Sequence, residues 1–378
     1  MIQVIKHSAL LGLVLGSLEA QVPTGTIAGI VRDPSGAPVS GARLKAVSLA
    51  TNVSRSKLTT AEGDYSFPAL PAGEYEVTVE TDIFQRMVRT ASVEVGATTS
   101  ANFTLRLGAV QESVKVEGAS PQVSYDSHTV GGVITGSEIQ NLPLNGRNFL
   151  ELAKLEPGVQ PPTRISGNLT VIPVLGAPGG PSGSGTRVTV DGGSIMAPSL
   201  FGAAMGFSQD LVAEFQVSTA NFDLSTGLGF SGAVNVATRT GTNGLHGSAF
   251  YFFRDHKLSA YPALQRSTAD PDPFFQRRQF GFTVGGPIQR DRLFFFANWE
   301  RNEQRGVGTT TLFGDFAQFS GVTSSPLFED LISFRLDGQV SSRHTVFARY
   351  SHDGSRSFAP VSGTANAVGN PISFQLGP

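Results

Sequence analysis

The 378-residue sequence contains no cysteine, only one tryptophan and few charged residues, which make up 15% of the chain. The missing cysteine excludes a disulfide framework, a zinc finger, an iron–sulfur centre and cysteine catalysis. The charged fraction is well below the roughly 25% of an average soluble protein. The formal net charge of −2 lacks the basic excess of a nucleic-acid-binding protein, so no nucleic-acid partner is expected.

Long apolar runs are also scarce. A mostly apolar stretch, Ala9–Leu18, follows Lys6 and His7 and ends shortly before the small residue Ala20. Ten residues are too few for a transmembrane helix, which needs about 20. The pattern predicts a secretory signal peptide over residues 1–20, cleaved after Ala20. The alternative is a buried N-terminal helix.

Glycine and phenylalanine are abundant. The 44 glycines and 22 prolines favour a turn-rich, mainly β protein over a helical one. Of the 27 phenylalanines, 18 lie after residue 244, where lysine also disappears beyond Lys257. Aromatic residues gathered on strands are typical of a surface that faces lipid. The last third of the chain is therefore expected to differ from the rest.

Residues 21–107 show the period-two alternation of short strands separated by turns. In Glu74–Glu80, for example, Tyr75, Val77 and Val79 share one face and charged residues occupy the other. Turns such as Asp33–Gly36 supply a fixed or positive φ. About seven such strands predict a small β-sandwich of the immunoglobulin or transthyretin type.

Three motifs in this region, Gly29–Ala42, Gly63–Phe67 and Leu70–Tyr75, resemble the carboxypeptidase regulatory-like domain. That module carries no peptidase chemistry, and none of the six histidines here begins an H-x-x-E zinc pair. Asp33 and Asp64 are interpreted as turn residues. Such domains resemble starch-binding folds, but no exposed aromatic platform for a glycan is evident.

Residues 108–136 are predicted to form a linker. Within it, Glu112–Glu117 alternates polar and β-branched residues beside a Gly/Ser/Pro stretch. A strand-prone segment in a flexible tether can pair with the sheet edge of another protein through main-chain hydrogen bonds. The alternative is that this segment forms the last edge strand of the sandwich.

Residues 137–243 predict an α+β domain. Ser137 and Gln140 are spaced as a capping box for a short helix, and Phe149–Leu155 has helical spacing. Gly227–Gly232 matches the G-x-G-x-x-G pattern of nucleotide-binding loops, but the residues that follow it alternate as a strand rather than beginning a helix. A nucleotide site is therefore rejected.

Three motifs of this domain, Leu142–Asn148, Val190–Gly192 and Ser231–Val236, resemble the plug domain of TonB-dependent outer-membrane receptors. Their order behind the regulatory-like sandwich resembles the Oar-like branch of these receptors. The resemblance implies a TonB box formed by Glu112, Ser113, Val114, Lys115, Val116 and Glu117. It also marks as plug motif residues Asn145, Gly146, Arg147, Asp191, Gly192 and Gly232.

Residues 244–378 predict the first strands of a transmembrane antiparallel β-barrel. About five strands alternate apolar and polar residues, for example over Arg278–Ile288 and Ile332–Val340, and their connections alternate between short and long. Five strands cannot close a barrel, and plugged transporters have about 22. The chain is therefore expected to be the N-terminal part of a longer protein. The alternative is a soluble sandwich with aromatic faces.

The sequence therefore predicts a receptor that binds an extracellular small molecule, glycan or peptide and imports it with energy that TonB delivers to the plug. Outer-membrane lipid is the second expected partner. No catalytic residue, metal site or cofactor is predicted. The alternative function is an Oar-like surface protein with a structural, adhesion or secretion-supporting role.

Overall fold

The computed structural model describes residues 23–107, 113–116, 130–144, 146–160, 174–175, 186–197, 202–203, 205–220, 232–259, 274–310, 314–319, 321–324, 326–341 and 344–357. Strands predominate throughout these residues, so the mainly β fold class is confirmed. The predicted signal peptide, residues 1–20, lies outside them.

The N-terminal strands form two facing sheets, which we call the sandwich. Their bounds are β1 (Gly25–Arg32), β2 (Arg43–Ser48), β3 (Ser54–Leu58), β4 (Asp64–Leu70), β5 (Gly73–Glu80), β6 (Arg86–Val93), β7 (Thr98–Ser100), β8 (Phe103–Thr104) and β9 (Ser113–Val116). One sheet has the order β4-β1-β7, with β8 also paired to β1, and the other has the order β3-β2-β5-β6-β9.

The alternation predicted for Glu74–Glu80 produces the sandwich core. Tyr75, Val77 and Val79 are buried together with Leu44 and Phe67 from other strands. Each fully buried side chain of this size stabilises the fold by about 1.5–3 kcal/mol. The hydroxyl group of Tyr65 donates to the backbone oxygen of Ala101, which satisfies a polar atom inside this core.

The middle of the chain forms a second domain, which we call the plug. Its strands are β10 (Val130–Ile134), β11 (Val159–Gln160), β12 (Val174–Leu175), β13 (Thr186–Val190), β14 (Gly193–Ser194), β15 (Met196–Ala197), β16 (Gly202–Ala203), β17 (Val212–Ala220) and β18 (Gly232–Thr238). The central sheet has the order β10-β17-β18-β13-β14. Because β10 pairs with β17, this sheet begins inside the segment predicted as linker, 108–136.

The helical parts of the plug differ in detail from the sequence prediction. The α-helix of the described residues, α1 (Gly136–Asn141), is capped by Thr135 and Glu138 rather than by Ser137 and Gln140. The segment Phe149–Leu155 forms a 3₁₀-helix. The spacing of apolar residues predicted a helix correctly, because Phe149 and Leu152 do point into the plug core, but spacing alone does not fix the cap or the helix type.

The C-terminal strands form one antiparallel sheet, which we call the barrel wall. Its strands are β19 (His246–Asp255), β20 (Phe275–Gln289), β21 (Leu293–Thr310), β22 (Gly321–Ser324), β23 (Leu327–Gln339) and β24 (Thr345–Ser357). The order is β19-β20-β21-β23-β24, with β22 also paired to β21. β23 begins at Leu327, before the predicted Ile332, because its pairing with β21 continues from Asn302 opposite Glu329 to Gln304 opposite Leu327.

The barrel wall has the inverse of a soluble sheet's polarity. The side that faces the plug buries polar residues, among them Gln279, Asn298, Glu300 and Arg335. The opposite side leaves large apolar side chains exposed, namely Tyr251, Phe253, Phe282, Ile332, Phe334, Val346 and Tyr350. This is the apolar-out, polar-in arrangement predicted for a membrane barrel. Within the described residues, no helix is long and apolar enough to cross a membrane.

Candidate functional site

The plug motifs lie where the plug contacts the barrel wall. Gly146 and Arg147 form a turn after α1, and Asp191 and Gly192 form a turn after β13; all four have positive φ angles. Gly232 begins β18 and pairs with Thr186, away from both turns. Asn145 lies outside the described residues. The structure therefore brings two pairs of the predicted motif residues to one interface.

Arg147 is the centre of the first ionic contact. Its guanidinium lies 2.8 Å from Asp210 Oδ2 of the plug and 3.3 Å from Glu300 Oε1 on β21. The same guanidinium stacks on the ring of Phe250, with its carbon 3.9 Å from the ring centre. Arg147 thus joins an acid of its own domain to an acid and an aromatic ring of the wall.

Glu300 also accepts a hydrogen bond from the plug. Its side chain is only 3% exposed, and Ser208 Oγ donates to its Oε2 at 2.5 Å. Asn298 Nδ2 in turn donates to Ser208 Oγ at 3.3 Å. A buried carboxylate is tolerated only when it is paired and hydrogen-bonded. We call Arg147, Ser208, Asp210, Asn298 and Glu300 the Arg147 cluster.

Asp191 is the centre of the second contact. Its Oδ1 lies 2.9 Å from Arg335 Nη1 on β23, and its Oδ2 lies 2.9 Å from Arg349 Nε on β24. Within the plug, the backbone N–H of Thr238 donates to Oδ1 at 3.0 Å, and the Thr238 hydroxyl group donates to Oδ2 at 2.8 Å. The Asp191 side chain is 1% exposed, so these four groups take the place of water as its polar partners.

Arg335 and Arg349 of the wall make further polar contacts. Arg349 Nη2 donates to the backbone oxygen of Val190 at 3.0 Å, and Arg335 also pairs with Asp337 at 2.8 Å. We call Asp191, Thr238, Arg335, Arg349 and Asp337 the Asp191 cluster. Removing one partner of such a buried set costs about 3–5 kcal/mol, because the remaining charge is left without compensation.

The sandwich is docked to the other two parts by polar contacts. The backbone N–H of Val95 donates to Glu214 Oε1 of the plug at 2.5 Å. Asn52 Nδ2 donates to Asp291 Oδ1 in the short turn between β20 and β21 at 3.0 Å. A cavity of about 590 Å³ remains between the three parts, lined among others by Arg55 and Gln216.

Burial raises the pKa of Glu214 to about 7, and the nearby Glu94 acts in the same direction. The hydrogen bond from Val95 opposes this shift. Glu214 therefore takes up protons near neutral pH while the sandwich is docked. It is a titratable group at an interface between two domains, and no sequence pattern indicated it.

The centre of the predicted TonB box, Ser113–Val116, forms β9 and pairs in parallel with β6 of the sandwich. This is the arrangement described by the alternative interpretation, an edge strand of the sandwich. Glu112 and Glu117 lie outside the described residues.

Several residues of the interface were not singled out from the sequence. These are Ser208, Asp210, Glu214, Thr238, Glu300, Arg335 and Arg349. The available signal was a charged residue on the polar face of an otherwise apolar strand, as with Glu300, Arg335 and Arg349. Their partners on the plug are more than 90 residues away in sequence, so spacing could not reveal them.

Two family models match parts of the chain. Residues 26–106 match the carboxypeptidase regulatory-like domain, and residues 237–314 match an outer membrane beta barrel domain. The TonB-dependent transporter Oar of Myxococcus xanthus is 29% identical over 316 residues, which are 80% of this chain and 29% of the relative. The chain resembles the Oar-like TonB-dependent receptors. The resemblance inferred from the sequence motifs is thereby confirmed.

The chain is also similar to solved structures of receptors and transporters. The siderophore receptor PirA from Acinetobacter baumannii is 17% identical, with 63% of this chain and 34% of that chain covered, at a TM-score of 0.45. The outer membrane transporter YddB from Escherichia coli is 13% identical, with 61% and 33% covered, also at a TM-score of 0.45. The chain spans about a third of the length of these relatives.

The barrel-domain match and the Oar relative place the chain in the outer membrane. Among the described residues, no group of three histidine, aspartate or glutamate side chains is arranged to hold a metal ion.

Proposed function

We propose that the Oar-like chain is part of a TonB-dependent outer-membrane transporter, which binds an extracellular substrate and imports it when TonB delivers energy to the plug. In this proposal TonB pulls on Glu112–Glu117, the plug rearranges, and a path opens beside it. Transport by this route requires no catalysed reaction in the chain. The observation that carries the proposal is the pair of ionic clusters between the plug and the barrel wall.

The chemistry of these contacts suits a plug that must move and return. A plug fixed in the barrel by large apolar surfaces would expose those surfaces to water whenever it moved. Asp191, Arg335 and Glu300 can instead exchange each contact for water as the path opens. The clusters therefore fix one resting position while leaving a hydrated alternative accessible.

The geometry also links Glu112–Glu117, which we call the coupling segment, to the two ionic clusters. Val130–Ile134, which follows that segment, is β10 and pairs with β17. β17 pairs with β18, and β18 ends at Thr238, whose hydroxyl group donates to Asp191. In our proposal a pull on the segment first disturbs β10 and then reaches the Asp191 cluster through this sheet.

The test uses the intact gene product in its host. A deletion strain is grown on single iron, carbohydrate and peptide sources, and complementation is compared with and without a functional TonB. A growth defect that complementation corrects only when TonB is present would support import. Complementation that is independent of TonB, or a defect in surface attachment or secretion alone, would favour the structural, adhesion or secretion-supporting role.

A further inference from the structure

The edge of β6 that does not pair with β5 is paired instead with Ser113–Val116, the centre of the predicted TonB box. Arg86 lies opposite Ser113, Met87 opposite Val114, Val88 opposite Lys115 and Arg89 opposite Val116, in a parallel pairing. The other edge of β6 is filled by β5. The coupling segment therefore completes a sheet of its own chain.

The path of the chain favours this pairing. Leu107 forms a bridge with Phe84, and the backbone N–H of Gln85 donates to the backbone oxygen of Arg106 at 2.9 Å. The chain thus leaves the sandwich beside the start of β6. Only residues 108–112 separate this exit from the first paired residue. A tether this short keeps the segment at an effective concentration on the order of millimolar next to the edge.

We propose that the sandwich edge β6 is a docking site for residues 113–116, and that it holds the coupling segment away from TonB until the segment is released. The inference rests on the proposed function, because it assigns TonB as the competing partner. Both partners use the same kind of recognition, the addition of a strand through main-chain hydrogen bonds.

TonB and β6 compete for residues 113–116 because a pull by TonB must reach the plug and not the sandwich. Residues 113–116 lie between the sandwich and the plug in the chain. If TonB added to the outer side of β9 while β9 stayed on β6, the pull would load the sandwich sheet first. To load β10 and the plug, the segment must leave β6. The apparent affinity for TonB is then reduced in proportion to the fraction of chains in which the segment is free.

Disulfide trapping tests the docking directly, because the 378 residues contain no cysteine that could compete. The paired positions Arg86 and Ser113 are replaced together, Arg86→Cys with Ser113→Cys, in the full-length protein. Neighbouring strands lie about 4.8 Å apart, within the range that a disulfide bridges. The surface ion pair of Arg86 with Glu80 that this removes contributes little, since both side chains are about half exposed.

The matched control is Thr90→Cys with Ser113→Cys. Thr90 is four residues further along β6, about 13 Å from the partner position, which is too far for a disulfide. If the first pair impairs assembly in the outer membrane, Val88→Cys with Lys115→Cys tests the same register at the next paired position of that face.

The readouts are disulfide formation in the purified receptor and binding of the periplasmic domain of TonB before and after reduction. We expect the matched pair to oxidise and the control pair to stay reduced. Oxidation should lower TonB binding at least about tenfold, and reduction should restore it. Conversely, TonB at ten times its apparent dissociation constant should reduce the docked fraction, and hence the rate of oxidation, roughly tenfold.

Different results would contradict the docking, the competition with TonB and the proposed function. A matched pair that does not oxidise, although both cysteines react with a maleimide, would overturn the docking. A matched pair that oxidises without changing TonB binding would overturn the competition but leave the proposed function in place. TonB that binds neither the reduced variant nor the unmodified receptor would overturn the proposed function and this inference together.

Discussion

At the residue scale, the resting position of the plug depends on a few buried charges. Asp191 accepts contacts from Arg335 and Arg349 of the wall and from Thr238 of the plug, and nearly all of its surface is covered. Arg147 has the equivalent position in the Arg147 cluster, and its φ of 61° lies in the left-handed region. A non-glycine residue persists there only when its surroundings hold it in place, as at functional sites.

Asp191→Asn removes the negative charge and one of the two acceptor oxygens that Thr238 uses, while asparagine tolerates the left-handed backbone at this position. Arg349 would lose its ion pair with Asp191, and Arg335 would keep only its pair with Asp337, at a cost of about 3–5 kcal/mol. We expect a looser plug, measured as increased entry of a large polar antibiotic. Asp337→Asn is the control, since Asp337 pairs with the same Arg335 but does not link the wall to the plug. Equal permeability in the two variants would contradict the prediction.

The raised pKa of Glu214 predicts that docking of the sandwich on the plug depends on pH. Its pKa rises from the usual 4.5 to about 7 in the docked state, so docking takes up a proton. The contribution to docking is therefore complete below pH 4.5 and is lost as the pH rises towards 7, by about 1.4 kcal/mol for each pKa unit.

Limited proteolysis of the linker at pH 5.5 and pH 8 measures this effect. We expect faster cleavage at pH 8, and Glu214→Gln should remove most of the difference because glutamine does not titrate. A wild-type protein that is cleaved equally fast at both pH values would contradict this role.

At the element scale, the function of a strand depends on which edge it occupies. The segment Ser113–Val116 pairs with β6 in the structure, and the proposal requires it to pair with TonB as well. Both pairings need backbone N–H donors. The barrel wall shows the same dependence on context, because Phe282 is 45% exposed there, whereas Phe67 of the sandwich, also on a strand, is buried. The difference lies in what each strand packs against.

Val114→Pro tests the coupling segment, because proline removes a main-chain donor and fixes φ. In the full-length protein we expect uptake to be abolished while substrate binding at the surface and barrel assembly stay normal. Val114→Ala keeps the donor and should be milder. If Val114→Pro lowers the melting temperature of a 21–120 fragment and leaves uptake unchanged, the segment is a structural edge strand and not a coupling element.

At the scale of the whole molecule, the described residues combine a sandwich with its own core and a barrel wall that lacks one. The sandwich buries Ile27, Leu44 and Val77 completely. The wall turns its apolar side chains outward and uses Phe296 to contact the plug core. The wall therefore needs lipid and the plug, and the sandwich needs neither.

Fragments separate these two behaviours. We expect residues 23–107 to fold alone as a soluble, monomeric domain with a cooperative thermal transition. Residues 245–378 alone should aggregate, since their strand edges are unpaired and their aromatic face is exposed to water. A soluble monomer of 245–378 in size-exclusion chromatography would contradict the barrel interpretation.

The final prediction concerns the location of the intact protein in the cell. The intact gene product should fractionate with the outer membrane and lack residues 1–20, because the apolar run Ala9–Leu18 is too short to anchor the chain as a helix. N-terminal sequencing checks the cleavage site. Retention of Met1 in the membrane-inserted protein would show that the signal peptide prediction is wrong.

The amino-acid sequence alone specifies the features that repeat along the chain. Alternation in Glu74–Glu80 and Arg278–Ile288 indicated strands and their two faces, since the side-chain period of a strand is fixed at two residues. It did not determine which distant residues meet. Asp191 and Arg335 are 144 positions apart, and Glu214 meets Val95 only because the sandwich docks on the plug. These contacts, and the choice of β6 as the partner of Ser113–Val116, were decided by the tertiary structure, because burial and pairing depend on neighbours that local sequence does not specify.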